Sequence, residues 1–237
     1  MIPRRLSVLL ISLTLTAAAC GGASSEGVEI SDTPSAVVIT SGTGNVSVSA
    51  VDSGATVTAE VSASGEAPEW SAELVGADLI IDDGCGDRTD CEVDFTIEVA
   101  GTADVTISSA DGGITVVDMN SSVTIAGAAS NVVLNGITGP IDVALSEGDL
   151  LGARLVSTDA SFTTQDGDLD VTLTEVFDSL TVISGSGNVT AQVPGGGYAI
   201  DATTPDGELD IKVDDVDGAA SSIVMRTDSG DVTIYRR

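Results

Sequence analysis

The chain of 237 residues contains no histidine. That absence removes Ser-His-Asp and Cys-His nucleophile systems and every His-ligated metal site. Basic residues are scarce too: 8 Lys and Arg stand against 37 Asp and Glu, a formal charge of −29. Phosphate is bound by Lys and Arg that neutralise it, so this body attracts neither nucleic acid nor an anionic lipid surface. The single lysine, Lys212, sits in a strand pattern facing away from Leu209, Ile211 and Val213, which suits solvation or local charge pairing. Aromatic residues are limited to Trp70, Tyr198, Tyr235 and 3 Phe, too few to line a sugar-stacking cleft. Helical periodicity is nearly absent beyond the N-terminal segment. High net charge by itself suggests disorder, but Val, Ile and Leu are abundant and spaced with period two, so a core can be buried.

What is present is a repeat. It reads ADGGITV (110–116), SEGDLLG (146–152), QDGDLDV (165–171), GSGNVTA (185–191), PDGELDI (205–211) and DSGDVTI (228–234). The turn glycines Gly112, Gly148, Gly167, Gly187, Gly207 and Gly230 are separated by 36, 19, 20, 20 and 23 residues. The long interval divides into two of 18 if Ser130 stands in for a glycine. Self-similarity at this period marks units that bury their apolar faces by stacking. After each turn residue come Gly113, Asn131, Asp149, Asp168, Asn188, Glu208 and Asp231, and the next position is apolar every time. An all-β β-solenoid of roughly 20-residue rungs with glycine turns is therefore predicted. The alternative is an antiparallel β-sandwich or meander in which each turn closes a hairpin. Constant register over successive units favours the solenoid.

The predicted organisation is a signal peptide over 1–19, a flexible tether over 20–35 and a β-solenoid domain over 36–237. Within the last, 36–106 reads as irregular N-terminal strands and 107–237 as regular rungs. Arg4 and Arg5, an apolar run from Leu6 to Ala18 and a small-residue end form a secretory signal. Ala17-Ala18-Ala19-Cys20 resembles the lipobox of bacterial lipoproteins, with Ala17 where leucine is more usual. The resemblance implies cleavage before Cys20 and acyl chains on its sulfur and new amino group, hence a lipid-anchored protein on the extracytoplasmic face of the cell membrane. The Arg4-Arg5 pair also permits a twin-arginine signal, although the surrounding residues fit it poorly. Outside the cytoplasm, Cys85 and Cys91 in DDGCGDRTDC are expected to form a disulfide. A zinc set would be incomplete with two thiolates and no histidine.

SGTGNVSV (41–48), SGSGNVTA (184–191), QVPGGGYAIDATTPDGELDI (192–211) and the closing MRTDSGDVTIYRR (225–237) resemble the putative-adhesin family of bacterial domains of unknown function, whose units read SGxG-[DN]-[VI]-x-[VI]. The resemblance covers most of 28–237. It implies a β-helical extracytoplasmic domain, often membrane-anchored, and no catalytic residue.

Carboxylates are the only reactive groups left. Asp82-Asp83 and Asp214-Asp215 are the adjacent pairs that a carbohydrate-active β-helical enzyme would draw on, but neighbours on a strand point to opposite faces. In a solenoid, Asp149, Asp168, Glu208 and Asp231 fall in one column beside the turns, where calcium would relieve like-charge repulsion. A solvated acidic face is the plainer reading, and no other cofactor is implied. Asn45, Asn120 and Asn188 begin N-x-S/T triplets to which no glycan is assigned. Arg236 and Arg237 are expected to discourage pairing at the edge of the last strand. The functional expectation is a non-catalytic binding or structural module of the envelope, anchored in the membrane by lipid, with cationic proteins or peptides as partners.

Overall fold

The architecture follows from alternation. In Leu169–Leu173, Leu169, Val171 and Leu173 are buried while Asp170 and Thr172 point outward. β-Branched and aliphatic residues at every second position recur through the chain, and a strand buries one such face. The computed structural model describes residues 24–86, 88 and 90–237; the expected signal segment and Cys20 lie outside the described residues.

The chain begins with β1 (Ser24–Ile30), β2 (Ala36–Thr43), β3 (Val46–Val51), β4 (Ala55–Ala63), β5 (Ser71–Val75), β6 (Asp78–Asp82) and β7 (Cys91–Ala100). Paired strands then follow on either side of successive turns: β8 (Asp104–Asp111) and β9 (Ile114–Val117), β10 (Val123–Ala129) and β11 (Val132–Asn135), β12 (Ile141–Glu147) and β13 (Leu150–Leu155). Next come β14 (Asp159–Asp166) and β15 (Leu169–Leu173), β16 (Ser179–Ser186) and β17 (Val189–Val193). The chain ends with β18 (Gly197–Thr203), β19 (Leu209–Lys212), β20 (Asp214–Asp215), β21 (Ser222–Ser229) and β22 (Val232–Arg236).

Each coil gives the strand before its turn to one sheet and the strand after it to another. Sheet I has the order β1-β4-β7-β3-β9-β11-β13-β15-β17-β22-β19, and sheet II the order β20-β18-β21-β16-β14-β12-β10-β8-β2-β6-β5. From β3 to β19 and from β18 to β6, each strand pairs in parallel with its neighbours. This is the stacked-coil arrangement, not an antiparallel sandwich. The inward side chains of both sheets fuse into one hydrophobic core, with Phe95, Phe162, Phe177, Met119 and Leu134 fully buried.

Two sequence-based expectations are corrected. Residues 20–35 were expected to be a flexible tether, yet Ser24–Ile30 is a strand antiparallel to β4, with Val28 and Ile30 each 6% exposed. GVEI alternates like the rungs, and those two side chains help close the N-terminal end of the core. Within 36–106, β2 and β3 form a full coil that stacks beneath β8 and β9, and β4 to β7 form the cap beyond it. Finally, spatial order departs from chain order at the C-terminus. The last coil, β21 and β22, is inserted between β16/β17 and β18/β19. β22 is therefore internal, so Arg236 and Arg237 do not guard an edge.

Candidate functional site

The turn corner of the stack is where the repeat is most constrained. A Cβ on Gly112, Gly148, Gly167, Gly187 or Gly230 would lie 2.1–2.2 Å from the carbonyl oxygen of the turn residue in the adjacent rung. All five have positive φ as well, between 117° and 148°. Close stacking and left-handed backbone together require glycine there. Ser130 stands at the equivalent turn between Gly112 and Gly148 without the positive φ of the glycines; it is fully buried, and its Oγ lacks a hydrogen-bond partner.

Beside the glycines runs a ladder of short polar side chains. The Asn45 amide donates to Asp94 Oδ1 at 2.6 Å, and Gly113 N–H donates to Asn45 Oδ1 at 2.9 Å. Further up, Asp149 N–H donates to Asn131 Oδ1 (2.9 Å), Asp168 N–H to Asp149 Oδ1 (2.8 Å) and Asn188 N–H to Asp168 Oδ1 (2.6 Å). The series ends with Asp231 N–H to Asn188 Oδ1 (3.0 Å) and Glu208 N–H to Asp231 Oδ1 (2.8 Å). An Asp or Asn side chain is short enough to reach one rung along the stack and no further. Glu208 immediately precedes β19, the outermost strand of sheet I, with no further rung whose amide it must accept.

A second ladder was not anticipated. Three residues before the turn glycine an inward hydroxyl recurs: Ser184, Thr227 and Thr204 donate to the carbonyls of Gly167, Gly187 and Gly230 at 2.9, 2.9 and 2.6 Å. These bonds satisfy carbonyls that the tight turn would otherwise leave unpaired. The signal was present as [ST]-x-x-G in TTQDG, SGSG, TDSG and TPDG.

The residues expected to hold calcium have backbone partners in this geometry. Asp149 and Asp168 are on adjacent rungs, Asn188 separates Asp168 from Asp231, and Glu208 follows Asp231. Oδ1 of Asp149, Asp168 and Asp231 each accepts a backbone amide instead of converging on a shared point. No group of three or more Asp, Glu or Cys side chains suited to a metal occurs among the described residues.

The enzyme-type pairs are occupied similarly. Asp83 is 3% exposed and accepts Cys85 N–H at 2.9 Å, while Asp82 accepts Gly84 N–H at 2.9 Å. Asp215 accepts Ile200 N–H at 3.2 Å. Asp82 lies on β6 and Asp214-Asp215 forms β20, near opposite ends of sheet II, so the two pairs do not combine. Cys85 and Cys91 are joined by a disulfide, with Cα atoms 5.8 Å apart and both residues buried.

What remains is an acidic edge whose carboxylates form no ion pair among the described residues. On the turn corner, Asp111, Glu147, Asp166 and Asp206 precede the glycines, and Asp149, Asp168, Asp231 and Glu208 follow them. Arg88, Arg154, Lys212 and Arg226 are paired elsewhere, with Asp90, Asp118, Asp210 and Asp201. Lys212 thus has the charge-pairing role its strand position suggests. At the opposite corner, Asp104 is held below the usual carboxylate range by hydrogen bonds from Ser121 and Ser122. On the outer face of sheet I, burial pushes Asp170 upward, next to the exposed Leu151.

None of the curated proteins matches this chain. Among solved structures, a putative adhesin from Parabacteroides distasonis is 14% identical, with a TM-score of 0.51 and coverage of 92% of this chain and 98% of that one. A putative adhesin from Bacteroides fragilis is 10% identical, covering 90% and 97%, with a TM-score of 0.47. A putative lipid binding protein from Parabacteroides distasonis is 12% identical, covering 92% and 97%, also with a TM-score of 0.47. The Parabacteroides adhesin shares the fold. The family model described as Toastrack DUF4097 matches residues 36–235, from the first stacked coil to the last strand, and the chain belongs to that family.

Proposed function

We propose that the protein is a lipid-anchored, extracytoplasmic, non-catalytic binding module whose acidic turn corner receives a cationic protein or peptide in the cell envelope. The observation that carries this reading is the turn corner itself. Eight carboxylates, from Asp111 to Asp231, line it without a basic neighbour in those positions. Successive rungs repeat at about 4.8 Å, so the field along the corner is summed over many charges. Their amide partners hold Asp149, Asp168 and Asp231 in place, so little ordering is required on binding. The adhesin names carried by structural neighbours fit a binding role. The lipobox-like segment ending at Cys20 supports the anchored location.

Titration of a fluorescent oligolysine peptide tests the binding. Affinity should fall steeply towards about 1 M salt, where the Debye length is about 3 Å, and weaken when Asp149, Asp166 and Asp168 are changed to Asn together. Affinity indifferent to both salt and these changes would overturn the proposal. For the anchor, metabolic labelling with a palmitate analogue should mark the wild type and not Cys20→Ala; label retained by the variant would exclude that site.

A further inference from the structure

The two ends of the stack are finished differently. At the N-terminal end, antiparallel β4 and β1 extend sheet I, and Val57, Ala59, Val28 and Ile30 remain at most 6% exposed. Trp70 packs edge-on against Phe95 at 6.1 Å and donates to Glu26 at 3.2 Å. Among the described residues the other end has no such cover. Leu209 is 45% exposed, although its partner one rung inward, Val232, is fully buried. Ile211 and Ile200 are half-buried beside the fully buried Ile234 and Ile223. Only the corner away from the turns is closed, where Tyr198 stacks on Phe177 at 5.3 Å and donates to the Pro194 carbonyl at 2.6 Å.

β19 is the last strand of sheet I. Val232 N–H bonds to the Glu208 carbonyl, so by the alternation of a parallel ladder the N–H and C=O of Leu209 and Ile211 point away from the stack. An unpaired edge beside an incompletely covered core is a template for one more strand. Charge decides the occupant. Between Gly197 and Asp215 the chain carries Asp201, Asp206, Glu208, Asp210, Asp214 and Asp215; Arg226 and Lys212 pair with Asp201 and Asp210, which leaves four of these carboxylates without an ion pair among the described residues. A second copy meeting this end would oppose like charge with like.

We propose that the open end accepts an extended basic segment of a partner polypeptide as an added β-strand along β19. Alternate apolar side chains of that segment cover Leu209 and Ile211, and its Lys or Arg side chains face the acidic rim. The inference rests on the cationic-partner reading and locates where that partner is gripped.

The test uses a labelled peptide alternating Lys and Val, and the same peptide N-methylated at every second residue. Both carry the same charge, but the second cannot complete a ladder on its methylated edge. Loss of at least two backbone hydrogen bonds predicts that the methylated peptide binds the full chain about tenfold or more weakly. Ile211→Pro, which removes an outward N–H on β19, should reduce binding of the unmethylated peptide towards the same level. If the two peptides bind equally and in a salt-dependent way, the edge proposal fails and the acidic-corner reading survives. If neither binds at low salt, both fail. Concentration-dependent dimers in sedimentation, lost in Ile211→Pro, would assign the end to a second copy and overturn the proposal.

Discussion

Replacing Asp168 separates the two roles available to the acidic column. In the structure its Oδ1 accepts the Asn188 backbone N–H at 2.6 Å and the Asn188 side-chain amide at 3.2 Å. Asp168→Ala deletes that acceptor. Hydrogen bonds to charged groups contribute about 1.5–3 kcal/mol, and the exposed position lets water replace part of it, so a loss of about 1 kcal/mol is expected. For a domain of this size that is about 2–4 °C in Tm. Asp168→Asn keeps the acceptor and removes a like charge one rung from Asp149. Its Tm should equal the wild type or exceed it by the few tenths of a kcal/mol that such repulsion costs. Thermal denaturation followed by circular dichroism at low salt is sufficient, since strand is the only regular secondary structure among the described residues. A calcium column would behave in the opposite manner: both variants would lose stability, and millimolar calcium would raise the wild-type Tm alone. Equal destabilisation by Ala and Asn would refute the amide ladder.

Other perturbations report on neighbouring features. Gly187→Ala sets a Cβ 2.2 Å from the Gly167 carbonyl oxygen at φ 134°, and should cost about 3 kcal/mol or more in urea unfolding. A loss below that of an ordinary surface change would mean the rungs can separate locally. Thr227→Val keeps the shape but strips the donor from the Gly187 carbonyl, for about 1 kcal/mol; no change in midpoint would leave that hydroxyl ladder without energetic weight. Asp170 has a carboxyl raised by burial, so its native form binds protons more readily than the unfolded chain. Stability should rise as pH falls through its folded pKa and gain nothing more below the ordinary value of 3.8. Asp170→Asn should therefore raise Tm at neutral pH, with the advantage vanishing below that value. Asp104 has the reverse sign: its hydrogen bonds from Ser121 and Ser122 stabilise above 3.8 and are lost in more acidic solution. The corresponding acid sensitivity should disappear in Asp104→Asn.

The rungs were legible because their cause is local. Alternation such as Leu169, Val171 and Leu173 commits a segment to a strand with one buried face, and a glycine at nearly every turn, Ser130 being the exception, fixes where that strand ends. Repeating this pattern with constant register is enough to specify parallel stacking, since only then do equivalent side chains meet. The Asp and Asn column was visible as a column, but its purpose was not. Whether a carboxylate serves a cation or an amide depends on the rung that lies beside it, as Asn188 lies between Asp168 and Asp231. β1 was hidden by its polar, glycine-containing surroundings, although Val28 and Ile30 carry the right spacing.

By itself the sequence determined the strands, the turns, the sidedness of each coil and the large negative charge, all of which arise within a single repeat. Only the tertiary structure decided the order of the coils, and with it which end lies open. Rungs that share one register are nearly interchangeable as stacking partners, so chain order cannot rank them. The choice falls to packing beyond the repeat: the Phe177–Tyr198 stack and the hydroxyl of Thr204 on the Gly230 carbonyl set β18 and β19 outermost, with β21 and β22 drawn inside.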